Sequence, residues 1–347
     1  MVEARGEQGG GRPFVSFLTT AFETEQYVGE MIESVLAQTD GDWELVVVDN
    51  GCSEAMADAV RPYTADSRVH LIRQENKGYT GGVSAAAAAA SGRYLCVLDS
   101  DDAVAPRFCE RARSLVAADP GIDGIGCNAV MFRDLDDGGE LEDFFTSTGR
   151  RTTPDPSRTV TFSEVLAEGA PPYVGLIRRE VWDDLGGYEC PADLEPDVIL
   201  WLRLVSTGRD LRILPDSLVK TRFRPESLSH HPDKVDAFQR RMQLSYLTAA
   251  REHGMSDSVA ARTGMLRRLR YHHSLTTARS ALEDGDAPSA RRAARDAFRQ
   301  RRTLRAVVAV AATHLGRDVA LRLRAVKNNA GDGLRRRTRR RHAGSVG

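Results

Sequence analysis

The chain has 347 residues, 41% of them hydrophobic, with 48 Lys and Arg against 49 Asp and Glu, and five Cys. That length supports one sizeable core plus an appended region, and no apolar run reaches the ~18 residues of a membrane span. Five cysteines without a CxxC pair argue against a disulfide or zinc framework and predict buried thiols in a reducing, cytoplasmic compartment.

Met1–Arg12 is Gly-rich and polar with no apolar h-region, so residues 1–12 are expected to be a disordered leader and not a signal peptide. Phe14 to Thr20 then reads as a buried strand, Glu44 to Val48 as a second, and Val69 to Ile72 as a shorter third. Between the first two, Val28, Met31, Ile32, Val35 and Leu36 recur at helical spacing, which makes a βαβ unit and a parallel sheet covered on both faces. Polar residues follow each strand: Thr19-Thr20, Asp49-Asn50-Gly51 and Gln74-Glu75-Asn76. In open α/β sheets the ligand crevice lies at that edge.

The fourth apolar run, Tyr94 to Leu98, ends in Asp99-Ser100-Asp101-Asp102. Three carboxylates in four residues repel one another unless a cation joins them, and partial coordination by hard oxygen ligands suits Mg²⁺ or Mn²⁺ with substrate phosphates completing the shell. The competing reading is an acidic turn that caps the next helix, with Pro106 in its first turn. A carboxylate after the second strand and an acidic cluster after the fourth favour a nucleotide diphosphate as ligand.

Several motifs together resemble the family 2 glycosyltransferases of the GT-A fold. They are Val15 to Thr20, Glu33 to Thr39, Val46 to Gly51, Asn76-Lys77-Gly78, Gly92-Arg93-Tyr94 leading to Asp99–Asp102, Leu185-Gly186-Gly187-Tyr188, and Asp197 before Leu200-Trp201-Leu202-Arg203-Leu204. The resemblance implies a Rossmann-like, mostly parallel twisted sheet with flanking helices, and an inverting, metal-dependent transfer of a hexosyl or deoxyhexosyl group. It implies Asp101 and Asp99 as metal residues with His231 as a further ligand. Thr20, Asp49, Asn50, Lys77, Gly78, Asp99 and Ser100 fall on the donor side, with Asp49 and Asn50 at the nucleobase. Asp197 falls at the general base. Three departures bear on this. Asn50 stands where many relatives have a second Asp, an Arg-Asn pair before the fourth strand is absent, and Pro196 replaces an acid, which leaves Glu195 as the alternative base. Asn76 to Gly82 is similar to the subgroup with rhamnosyl- and galactofuranosyltransferases.

Charge changes sign along the chain. Residues 1–234 carry 23 Lys and Arg against 40 Asp and Glu, whereas residues 235–347 carry 25 against 9. The expected organisation is a GT-A domain over 13–233, an all-helical region over 234–328 and a basic disordered tail over 329–347. Helices are predicted over Asp236–His253, Val259–Glu283, Ala287–Arg301 and Leu304–Val326. The basic helices read either as a solvated face matched to the acidic half or as a dock for an anionic membrane surface, on the inner face of the plasma membrane, where lipid-linked or glycan acceptors lie. The tail lacks interleaved aromatics, so nucleic acid is not expected as a partner. Two other functions stay open: a non-catalytic nucleotide-sugar or membrane-binding module, and a sugar nucleotidyltransferase. The latter would need a Gly-rich basic loop where Thr19-Thr20-Ala21-Phe22 stands.

Overall fold

The computed structural model describes residues 11–132, 140–148, 150, 152–168, 171–222, 224, 235–252, 259–283 and 285–315. The chain forms two compact units that divide between Arg262 and Thr263.

The first unit begins β1 (Val15–Ala21), α1 (Glu25–Leu36), β2 (Trp43–Asp49), α2 (Glu54–Val60), a 3-10 turn over Arg61–Ala65, β3 (Val69–Arg73), α3 (Gly78–Ala89) and β4 (Tyr94–Val97). β3, β2, β1 and β4 lie side by side and parallel, with Val15 paired to both Trp43 and Tyr94. Every residue of β2 is buried, as a parallel strand covered by helices on both faces requires. Val28, Met31, Ile32 and Val35 of α1 are buried, at the helical spacing read from the sequence. At the amino end of the sheet, Glu44 is buried but satisfied: the hydroxyls of Ser16 and Ser91 and the amide of Gly92 donate to its Oε1.

The chain continues through β5 (Ala103–Val104), α4 (Phe108–Ala118), β6 (Gly124–Phe132), β7 (Glu140–Asp143), α5 (Phe144–Ser147), α6 (Phe162–Glu168), β8 (Gly175–Arg178), α7 (Arg179–Leu185), α8 (Pro196–Ser206) and β9 (Leu211–Arg222). Beyond β4 the sheet is mixed, where the pattern of the first strands predicted mostly parallel pairing. β8 inserts antiparallel between β4 and β6, β6 pairs parallel with β9, and β5 and β7 pair antiparallel with β9 and β6. The reason is topological: β8 arrives late in the chain and fills the gap between two strands that already run the same way.

α9 (Val235–Glu252) belongs to the first unit, although the charge pattern put the end of the α/β domain at residue 233. Two ion pairs tie it to α8 and its N-cap: Arg241 with Glu195 at 2.8 Å and Glu252 with Arg203 at 3.0 Å. α10 (Val259–Glu283) runs across the dividing point. α11 (Ala287–Gln300) and α12 (Leu304–Leu315) complete the second unit, where Ala290, Ala294 and Ala297 of α11 and Ala306 of α12 are buried. Tyr271 packs against Ala297 and Ala306, and its hydroxyl lies 2.6 Å from that of Thr303. The helix expected as far as Val326 is described to Leu315; the leader over residues 1–10, His230, His231 and the tail lie outside the described residues. Among the described residues no helix is long and apolar enough to cross a membrane.

Candidate active site

The site is built where β4 ends. Leu98 still hydrogen-bonds to β1, through Leu98 N to Leu18 O and Thr19 Oγ1 to Leu98 O, and the chain then turns, with Asp102 N donating to Asp99 O. The three carboxylates leave this turn in different directions. Asp99 accepts from Tyr79 at 2.8 Å and from Tyr173 at 3.3 Å. Asp101 pairs with Arg224 at 2.6 Å. Asp102, fully enclosed, accepts from the Arg222 amide at 2.9 Å, while the Arg222 guanidinium donates to the Asp101 carbonyl and pairs with Glu30. Arg222 and Arg224 both stack over Tyr27. Ser100 is buried, its hydroxyl 2.8 Å from that of Thr24.

This crowding has electrostatic consequences. Burial, and then the charge of Asp101, pushes Asp99 up from 3.8 to about 6. Burial followed by the charges of Asp99 and Asp101 raises Asp102 well above the usual carboxylate range.

Asp197 sits in the first turn of α8, where Pro196 at the helix start leaves no amide to satisfy and Glu195 is the N-cap. Burial, reinforced by the charge of Glu195, lifts Asp197 from 3.8 to about 6; the backbone amides at the helix start act in the opposite sense. The two neighbouring acids differ in their partners. Glu195 carries its own counterion, Arg241, and its amide donates to Ser245 Oγ, whereas among the described residues no cation pairs with Asp197. Tyr79, bonded to Asp99, is also within electrostatic reach of Asp197. The charges of both acids act on its phenol, whose hydroxyl end is enclosed, with burial the main cause of its raised pKa, while the ring edge stays open to solvent. Its ring centroid is 6.0 Å from that of Tyr188, which stacks on Trp182 at 5.3 Å. The aromatic wall continues into a narrow pocket lined by Val97, Tyr173, Gly175, Trp182, Tyr188 and Trp201.

The end of β2 is different in kind. Asp49 and Asn50 are each about 1% exposed. Asp49 accepts from the amides of Gly51 and Ser53 and from Arg73 Nε. Asn50 donates to Asn76 Oδ1 and the Gly78 carbonyl and accepts from Gln74 and the Lys77 amide. Both side chains, read from the sequence as groups that reach the nucleobase, are used to join the β2, β3 and α3 loops. Lys77 is the exposed N-cap of α3, and Gly78 adopts φ +72°, a conformation that favours glycine. Thr20 lies under Gly82, where any Cβ would come within 2.3 Å of Thr20 Cγ2; the Thr20 hydroxyl is buried without a hydrogen bond among the described residues.

The structure therefore puts Asp99 within electrostatic reach of both Asp101 and Asp197, and places Asp49 and Asn50 in a loop scaffold. Sequence reasoning missed Tyr79, Tyr173, Arg222 and Arg224. Tyr79 sits inside the Asn76 to Gly82 motif and was within reach; the other three come from the ends of β8 and β9, distant in sequence and without a local signal. Among the described residues no three His, Cys, Asp or Glu side chains converge on one point. The chemistry of the pair nevertheless suits a hard divalent ion: Asp101 and Asp99 offer carboxylate oxygens that feel one another's charge, and Arg224 supplies the positive charge at Asp101.

Residues 16–159 match the sequence model of the family described as Glycosyl transferase family 2. Over that segment, 144 of the 347 residues, the chain is similar to the family 2 glycosyltransferases. The matched segment holds Asp49, Asn50 and Asp99–Asp102; Asp197 lies beyond it. EpsH of Bacillus subtilis (strain 168) is 34% identical over 124 residues, 35% of this chain and 36% of its own length. The glucosyltransferase WfgD of Escherichia coli, named as acting from UDP-Glc on alpha-D-GlcNAc-diphosphoundecaprenol, is 38% identical over 89 residues, 25% of this chain and 35% of its own. The chain thus spans little more than a third of these curated relatives. S. aureus TarS in complex with UDP-GlcNAc has the same fold, with a TM-score of 0.57 at 17% identity over 82% of this chain and 81% of that one. The mannosyltransferase PcManGT of Pyrobaculum calidifontis, solved with GDP-Man and Mn²⁺, gives 0.51 at 17% identity over 86% and 87%. The mixed, twisted sheet with flanking helices is the fold of these solved structures.

Proposed function

We propose that this protein transfers a sugar, with inversion, from a nucleotide-diphosphate donor to an acceptor hydroxyl. The observation that carries the reading is Asp197: a half-buried carboxylate with no cation partner among the described residues, raised to about 6 by loss of solvation, its charge acting on both Tyr79 and Asp99. A carboxylate so placed is ionised at neutral pH yet basic enough to accept a proton from a hydroxyl in flight. The acceptor oxygen attacks the anomeric carbon, its proton passes to Asp197, and the bond from that carbon to the diphosphate oxygen breaks, releasing the nucleoside diphosphate. One displacement inverts the centre, so no second carboxylate nucleophile is needed.

Asp101 and Asp99 would hold Mn²⁺ or Mg²⁺. When bound, that ion neutralises charge growing on the departing diphosphate. The nucleobase lies against the loop that Asp49 and Asn50 hold together, with Thr20, Lys77, Gly78 and Ser100 around the donor. By analogy with the printed activity of WfgD, the acceptor is a lipid-linked or growing glycan, in polysaccharide or cell-envelope synthesis, and the basic C-terminal region holds the enzyme to an anionic membrane surface on the cytoplasmic side.

Slow donor hydrolysis tests the reading without an acceptor. With Mn²⁺ present, one of a panel of UDP-, GDP- and dTDP-sugars should be cleaved, and Asp101→Ala or excess chelator should stop cleavage. A donor that shifts the melting temperature and is never hydrolysed would instead identify a binding module.

A further inference from the structure

Among the described residues, α12 carries the most exposed large apolar side chains. Leu304 is 79% exposed, Val307 48% and Val308 54%, and they stand at i, i+3 and i+4 with exposed Ala311 at i+7. That spacing puts all four on one face of the helix. The opposite face is occupied: Ala306 packs with Tyr271 and Ala297, Thr313 is buried, and Arg291 donates to the Thr313 carbonyl. The stripe is therefore a rigidly presented surface on a helix held from behind.

Its surroundings define the partner. Arg301 and Arg302 precede the helix, Arg305 lies in its first turn, and residues 316–347 contain ten Lys and Arg against two Asp. A second protein copy is a poor occupant. A twelve-residue helix is about 18 Å long, and one stripe of four small or medium side chains falls well short of the ~800 Å² per partner that a stable interface buries. An interfacial helix needs only such a stripe, flanked by cations that meet anionic headgroups.

We infer that α12 lies in the headgroup–acyl boundary of an anionic bilayer, with Leu304, Val307, Val308 and Ala311 inserted and the arginines around it on lipid phosphates. This rests on the membrane setting proposed above and deepens it: attachment is by apolar insertion as well as charge, so part of it persists at high salt.

The test uses the full chain and vesicles of phosphatidylcholine with or without phosphatidylglycerol, in low and 0.5 M salt, alongside donor hydrolysis in free solution. Wild type should co-sediment with the anionic vesicles and keep a salt-resistant fraction. Val307→Ser with Val308→Ser should lower partitioning about tenfold or more and abolish the salt-resistant fraction, with solution hydrolysis unchanged. Replacing Arg335–Arg337 and Arg339–Arg341 by Ser should weaken low-salt binding and leave the salt-resistant fraction. If the double Val variant binds like wild type while the Arg variant does not, insertion is overturned and electrostatic attachment stands. If wild type binds no anionic vesicle at low salt, both fall. A wild-type dimer that the Val substitutions dissociate would assign the stripe to a second copy and overturn the inference.

Discussion

Two acidic positions at the same edge of one sheet have been put to opposite uses. At the end of β2, Asp49 is sealed in and its oxygens accept two amides and the Arg73 guanidinium. At the end of β4 and the start of α8, Asp99 and Asp197 are half-buried, and loss of solvation outweighs their hydrogen bonds, so each is lifted to about 6. Burial alone does not distinguish a scaffold from a reactive group. What distinguishes them is whether the hydrogen bonds and cations supplied compensate the lost solvation.

The sharpest way to break that comparison is Asp197→Asn. Transfer should fall about 10²- to 10⁴-fold with donor affinity retained, as for loss of a general base. Stability should move the other way. A carboxylate whose folded pKa is raised holds its proton more tightly in the fold, so it costs stability as pH rises from about 3.8 through about 6. Asn carries no charge, so above pH 6 the variant should melt higher than wild type, by at most about 3 kcal/mol, and the gap should close toward pH 4. Calorimetry across that range checks it; an activity loss accompanied by destabilisation at pH 7 would make Asp197 structural.

Asp49→Ala should reverse the pattern. Removing a fully bonded carboxylate leaves the Ser53 amide and Arg73 Nε without their acceptor, which should cost about 2–3 kcal/mol and lower the melting temperature by about 4–12 °C. The chemical step in the protein that remains folded should be close to wild type. A kcat loss comparable to that of Asp197→Asn, at unchanged melting temperature, would move Asp49 into the reaction.

Much of this was legible in the chain because its signals are local. Apolar runs located β1 to β4 within a residue or two, helical spacing located α1, and the acidic motif Asp99–Asp102 lies at the end of β4 where the strand pattern put it. Non-local pairing was not legible. Tyr173 and Arg224 reach the cluster from beside β8 and β9, at sequence separations of 74 and 123 residues from Asp99 and Asp101. The same holds for Asp49, whose spacing with Asn50 suggests a ligand contact, whereas Arg73, Gln74 and the α3 amides arrive through tertiary packing to occupy both side chains. The charge reversal near residue 234 is a true feature of the sequence, and the first compact unit runs on past it because α9 is joined to α8 by its own Arg241 and Glu252.

The smallest expected effect separates Asp197 from its neighbour. Glu195 lies two residues before it and contributes a charge that raises the Asp197 pKa, while Arg241 compensates Glu195 itself. Glu195→Gln keeps the side-chain oxygen that Arg241 reaches and removes the negative charge, so the net field at Asp197 becomes more positive. Its pKa should fall below about 6, the base should stay ionised to lower pH, and the acid limb of kcat/KM should shift down by a fraction of a unit with the plateau nearly unchanged. If Glu195 were the base, the same substitution would instead lower the plateau by two orders of magnitude or more, and Asp197→Asn would move only the limb. A pH–rate profile of the two variants side by side therefore decides which carboxylate takes the proton, even though one caps the helix and the other lies in its first turn.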